Sequence, residues 1–148
     1  MNPLIGRRLV LRSGIAAGAS LLLPAARACE FFTTNLRIVT PWTRATMVGT
    51  ASAVIGMTFD DVAQDDRLIG VETPVAESAV MVGPGVGPQV NFAIPQGKET
   101  VLGETGVVLK LVGLKFPMGI GRIYPITLAF EKGGNVTADL HVLYMPYA

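Results

Sequence analysis

The chain has 148 residues, with 12 Lys and Arg against 11 Asp and Glu, and 50% of its residues are hydrophobic. This near-neutral charge, without a basic cluster interleaved with aromatic residues, argues against nucleic-acid binding. A single cysteine excludes an intramolecular disulfide. No apolar run after the N-terminal segment approaches the length needed to span a membrane.

The first 28 residues have the composition of an export signal. Arg7 and Arg8 precede an apolar run over residues 14–23, which is too short to cross a bilayer. The arginine pair resembles a twin-arginine export signal. The sequence therefore predicts a signal peptide over 1–28 and a periplasmic, bacterial protein; a hydrophobic N-terminal helix of the domain is the alternative.

Ala26 and Ala28 supply the small residues that a signal peptidase requires before its cleavage site, so residues 29–148 are predicted to form one mature domain. Four arginines and no acid leave with the signal, and the mature domain keeps 8 bases and 11 acids, a net charge of −3. Cys29 would be the first mature residue. A free thiol is expected there, with a lipid anchor as the alternative.

From residue 51 onward the chain has the pattern of short strands. Residues 51–59 alternate apolar and polar side chains, which is typical of a strand with one buried face. Further strands are predicted at 67–72, 77–82, 90–94, 107–114, 123–131 and 136–144. The last two are joined by Gly133-Gly134-Asn135 and should form a hairpin. This regular spacing without helical periodicity predicts an all-β, antiparallel sandwich.

Four acids cluster between the first two of these strands, at Asp60, Asp61, Asp65 and Asp66. They lack the alternating oxygen ligands and the central glycine of a calcium loop. A solvated hairpin loop is the predicted structure.

Six segments, in order along the chain, resemble the PCu(A)C family of periplasmic copper chaperones. They are Trp42–Thr46, Asp66–Gly70, Thr73–Ala76, Ile94–Gly97, Leu111–Lys115 and Pro125–Lys132. The resemblance implies a cupredoxin-like sandwich and a role in copper trafficking or cytochrome oxidase assembly. It also implies copper as the cofactor and a periplasmic protein of copper delivery or oxidase assembly as the partner.

Members of this family bind Cu(I) through His and Met side chains, which are soft ligands suited to that ion. By register, the two histidine positions fall on Val82 and Val108, and a methionine position falls on Lys110. The remaining methionine positions fall near Pro84, Val90 and Phe92. The resemblance therefore predicts a degenerate site in which no copper ligand is retained.

Three residues are candidates for a replacement metal site: Met81, Met118 and His141. Met81 and Met118 could meet Met47 at one end of the sandwich as a thioether site, although methionines more often fill gaps in a core. His141 lies on the last predicted strand, two residues from Asp139 on the same face. A surface or hydrogen-bonded role is the alternative for this histidine.

The chain offers no nucleophile–base pair and no metal triad, so an enzyme is not expected. A ligand-lost paralogue is the alternative to copper trafficking, acting as a periplasmic protein-binding or envelope-associated module. Its predicted partner surface consists of large apolar side chains: Trp42, Phe116, Met118 and Ile120. Packing at the edge of the sandwich is the other use for these side chains.

Overall fold

A computed structural model describes residues 29–143, so the predicted signal peptide with Arg7, Arg8, Ala26 and Ala28 lies outside the described residues. Within that range the chain forms ten strands and no helix, and thus no helix that could cross a membrane. The strands are β1 (Glu30–Phe32), β2 (Arg37–Arg44), β3 (Ser52–Asp60), β4 (Asp66–Glu72), β5 (Ala76–Val82), β6 (Phe92–Ile94), β7 (Thr100–Leu102), β8 (Val108–Leu114), β9 (Ile123–Phe130) and β10 (Gly134–Leu143).

The strands form one curled sheet in the order β5-β8-β3-β2-β10-β9-β4-β6, with β1 beside β2 and β7 beside β3. Because the sheet curls, β4 and β5 approach each other from its two ends and enclose a common core. The all-β, cupredoxin-like prediction is confirmed. One described pair departs from the antiparallel prediction: β10 runs parallel to β2, with His141 opposite Trp42.

The inner face of β3 follows the predicted alternation, since Ala53, Ile55, Met57 and Phe59 are all buried. Met57 packs in the core, as expected for a methionine on this face. Phe59 also contacts the rings of two other strands, β6 and β9, at centroid distances of 6.1 and 5.9 Å. These ring contacts join the two halves of the curled sheet.

The predicted hairpin of β9 and β10 is confirmed, with Gly134 paired to Phe130 and a positive φ of 77° at this glycine. The sequence did not predict β1, β2 or β7. In β2 the pattern is interrupted by Thr40 and Pro41, where the register with β3 shifts between Val39 and Trp42. Proline within a run argues against a strand, and here it sits at an irregularity that tolerates the missing N–H.

Asp66 is a structural anchor at the start of β4 and is only 6% exposed. Its carboxylate accepts hydrogen bonds from Asn35 Nδ2 at 3.2 Å, from the N–H of Lys132 at 2.9 Å and from the N–H of Gly133 at 3.0 Å. It also accepts a bond from the N–H of Arg67 at 2.8 Å. One side chain thus ties β4 to the segment before β2 and to the β9–β10 turn.

The prediction of a wholly solvated acidic loop was therefore wrong. Asp60, like Asp66, is engaged: its two carboxylate oxygens accept bonds from Arg37 Nε and Nη2, both at 2.6 Å. Asp61 and Asp65 are exposed, as predicted. The sequence pattern missed these contacts because, apart from the N–H of Arg67, the partners of Asp60 and Asp66 lie 23 or more positions away in the chain.

Candidate functional site

Three of the six register positions for copper ligands meet on one surface. Val82 of β5 lies directly opposite Val108 of β8, and Lys110 lies two residues further along β8. Alternate residues of a strand point to the same face, so these three side chains share the outer face of the sheet. Directly opposed residues place their Cβ atoms about 4.5–5.5 Å apart, close enough for two side chains to reach one ion.

Two of the other three positions, Val90 and Phe92, do not join this group. Phe92 lies on β6 and packs against Phe59, and Val90 is only 7% exposed. Pro84 lies in the loop after β5, which folds back so that the N–H of Met81 bonds to the carbonyl of Pro88 at 3.0 Å. The structure therefore assembles the two histidine positions and one methionine position, and places Val90 and Phe92 apart from them.

The surface around these positions is apolar with one cation, and we call it the valine patch. Its members are Val54, Val80, Val82, Val108, Lys110 and Val112. Lys110 stands at its centre, opposite Val80 on one side and Val54 on the other, and it forms no ion pair with a described residue. Valine has no lone pair to donate, and a lysine cation repels Cu(I). The patch can bury apolar surface, but as it stands it cannot coordinate metal.

Trp42 lies on the same outer face and is half-buried on β2. Its indole covers Gly56, where an added Cβ would overlap the ring. The Arg44 guanidinium stacks 5.3 Å from the ring centroid and binds Glu104 through two bonds of 2.7 and 2.6 Å. Gly56 stands inside a strand of alternating side chains, and a glycine in that position was the sequence signal that the Trp42 ring packs closely against the backbone.

His141 lies on β10, directly opposite Trp42 of β2 on one side and Ile123 of β9 on the other. Its Nε2 atom is buried and has no hydrogen-bond partner among the described residues. Asp139 is exposed on the same face. Residues 29–143 contain no group of three or more His, Cys, Asp and Glu that could hold a metal ion.

The methionine candidates do not form a shared site. Met81 and Met118 are 3% and 0% exposed, whereas Met47 is 71% exposed. The N–H of Met118 bonds to Thr46 Oγ1 at 2.8 Å, just after β2, while Met81 lies on β5 with β8 and β3 in between. Burial in the core also removes Met118 from the predicted partner surface, so that part of the prediction was wrong.

The other two residues of the predicted partner surface are exposed in the segment between β8 and β9. Phe116 is 44% exposed and its ring lies 5.6 Å from that of Tyr124, and Ile120 is 62% exposed. The loop after β2 lies alongside them and adds Met47 and Val48, the latter 89% exposed. We call Met47, Val48, Phe116 and Ile120 the apolar tip.

Residues 36–142 match the model of the LpqE-like family, which is lipoprotein-like. The copper-bound PCuAC domain of PmoF2 is 26% identical, with a TM-score of 0.71, over 78% of this chain and 98% of that domain. The apo PCuAC domain of PmoF1 is 24% identical, with the same TM-score, over 78% and 99%. The Cu(I) form of DR1885 from Deinococcus radiodurans is 23% identical, with a TM-score of 0.61, over 80% and 81%. No curated protein matches the chain.

Proposed function

Because the chain belongs to the LpqE-like family and shares its fold with PCuAC domains, we propose that it is a copper-chaperone-like, non-enzymatic periplasmic protein that binds a partner protein instead of holding copper. The observation that carries this proposal is the convergence of Val82, Val108 and Lys110 on one surface. By family resemblance, the partner belongs to copper delivery or cytochrome oxidase assembly.

The chemistry of the valine patch supports docking over coordination. Fully burying one valine side chain contributes about 1.5–3 kcal/mol, so several half-buried valines on adjoining strands offer a useful contact surface. Val82 alone is 48% exposed. A partner with a carboxylate opposite Lys110 and apolar side chains around it would complement the patch in both shape and charge.

A Cu(I) competition titration against a chromogenic chelator, under reducing conditions, tests this function. We expect the protein to leave the chelator fully loaded at sub-micromolar free copper, because no described group of ligands can compete. The copper-bound PCuAC domain of PmoF2 serves as the positive control. If the protein instead removes copper from the chelator stoichiometrically, and Met→Leu or His141→Asn substitution abolishes this, the proposal is contradicted. That result would support a function in copper trafficking.

We also propose that residues 1–28 are removed on export and that Cys29 carries a lipid anchor. The lipoprotein-like family favours the anchor over the free thiol. Cys29 lies at the start of the described sheet, where its carbonyl accepts a bond from the N–H of Thr40 at 2.8 Å. We expect the intact mass of the protein from an envelope fraction to include diacylglycerol at the N-terminus, and the mass of Cys29→Ser to lack it. A native chain that begins with an unmodified Cys29 would contradict this.

A further inference from the structure

The apolar tip is built by two loops that are bonded to each other. The N–H of Met118 donates to Thr46 Oγ1 at 2.8 Å, and the N–H of Thr46 donates to the carbonyl of Met118 at 3.1 Å. The side chain of Met118 is 0% exposed and fixes both loops to the core. The neighbouring apolar side chains therefore point outward from an anchored backbone.

The exposure of these side chains has no explanation in the packing of the chain. Val48 is 89% exposed, Met47 71% and Ile120 62%, and the bonds between Thr46 and Met118 hold their two loops together at one end of the sheet. Scattered exposed apolar residues are ordinary, but a contiguous group marks a contact surface. This surface is separate from the valine patch, which lies on the outer face of β5, β8 and β3.

Two exposed cations flank the tip, and the carboxylates at this end of the sheet lie outside its two loops: Glu104 is paired with Arg44, and Glu77 lies against Gly113 of β8. Lys115 and Arg122 are exposed in the same segment as Phe116 and Ile120, and neither forms an ion pair with a described residue. The two loop segments, 45–51 and 115–124, contain no carboxylate. An apolar centre flanked by cations complements a lipid surface with anionic headgroups above its acyl chains.

Two described residues outside the loops lie near the tip, Leu143 and the proposed anchor site Cys29. The described chain ends at Leu143 beside the tip, where its carbonyl accepts a bond from the N–H of Ala45 at 3.1 Å. Cys29 lies opposite Thr40 of β2. The four steps from Thr40 to Arg44, where β2 ends beside the tip, cover about 13 Å along the strand.

We propose that the apolar tip inserts into the interface of an anionic lipid membrane, with Lys115 and Arg122 at the level of the lipid phosphates. The inference requires neither copper nor a lipid on Cys29. It therefore goes beyond the proposed docking of a protein partner, and its test is independent of the copper titration.

Flotation with lipid vesicles tests the insertion, using the Cys29→Ser form of the exported chain without residues 1–28, so that neither a covalent anchor nor the signal segment contributes. Vesicles of phosphatidylethanolamine and phosphatidylglycerol should bind the protein, and vesicles of phosphatidylcholine should bind it about tenfold more weakly. Val48→Asp with Ile120→Asp should reduce binding at least about tenfold. Val101→Asp with Ile69→Asp is the matched control: these side chains are 61% and 44% exposed on β7 and β4, and the change should not affect binding.

A second pair of variants separates local charge from total charge. Lys115→Gln with Arg122→Gln should weaken binding to anionic vesicles about tenfold, because each cation near the surface contributes to the attraction. Lys98→Gln with Lys132→Gln removes the same net charge at exposed sites elsewhere and should leave binding within about twofold.

Several outcomes would overturn the inference. The first is that the chain with the native tip does not float with the vesicles, and the second is that the control variants lose binding equally. The third is binding that arises only after removal of residues 144–148, which would mean that this segment is the occupant of the tip. An NMR titration with bicelles keeps the test decisive if a variant folds poorly. Broadening confined to residues 46–49 and 116–121 supports insertion, and broadening confined to the valine patch contradicts it.

Discussion

Replacing Val82 and Val108 by His and Lys110 by Met should give the protein a Cu(I) site that the native chain lacks. The two histidines would stand on directly opposed residues of β5 and β8, and the methionine would lie on the same face. The change adds two imidazoles and one soft thioether, a donor set that suits Cu(I), and removes the central cation. We expect Cu(I) affinity to rise about a thousandfold, or about 4 kcal/mol, in the competition titration.

A control with the same new side chains at positions that do not converge distinguishes geometry from ligand number. Val54→His, Val101→His and Lys98→Met supply two histidines and a methionine on separate elements, and should bind copper no better than the native chain. Equal affinity in both variants would contradict the view that the valine patch keeps the arrangement of a copper site.

Substituting Asp66 by Asn should lower the free energy of unfolding by about 2–4 kcal/mol at neutral pH. The carboxylate accepts four hydrogen bonds, including those from the N–H groups of Lys132 and Gly133. An amide replaces one acceptor oxygen by a donor, so at least one buried N–H would face another N–H. Urea denaturation measures the loss. Asp139→Asn, at an exposed site, should change stability by less than about 0.5 kcal/mol, and an equal loss there would refute the anchor role.

The same anchor predicts how stability depends on acid. Burial alone would raise the pKa of Asp66, but bonds from Lys132, Arg67, Asn35 and Gly133 outweigh it and lower the pKa below the ordinary value of 3.8. A lowered pKa in the folded state means that the charge contributes stability above about pH 4, and that this contribution is lost as the pH falls through the folded pKa. The stability difference between native protein and Asp66→Asn should therefore narrow on acidification. A constant difference down to pH 2 would contradict this.

Local pattern was sufficient for most of the strands, because alternation and turn residues act over a few positions. It predicted β3 and the β9–β10 hairpin from residues such as Phe59 and Gly134. It failed for β2, where Pro41 interrupts the run and tertiary pairing on both edges overrides the local signal.

The candidate site shows the same limit. The resemblance to the family located Val82, Val108 and Phe92 in the sequence. Only the strand pairing reveals that the first two are opposed, while the third is half-buried against the core. Likewise, the flanking Pro117 and Gly119 indicate a loop at Met118 without revealing that its side chain is buried. Contacts between residues far apart in sequence decide these outcomes.

The parallel pairing of β2 with β10 has a consequence for the order in which the chain folds. Trp42 and His141 are opposed in that pair although 99 positions separate them. Closing so long a loop costs about 4 kcal/mol of chain entropy beyond a constant, and such non-local pairing is slow. A growing chain cannot make this pair until the last strand has been synthesised. The domain therefore completes its fold only once β10 is available, in a late step that pairs two strands distant in the sequence.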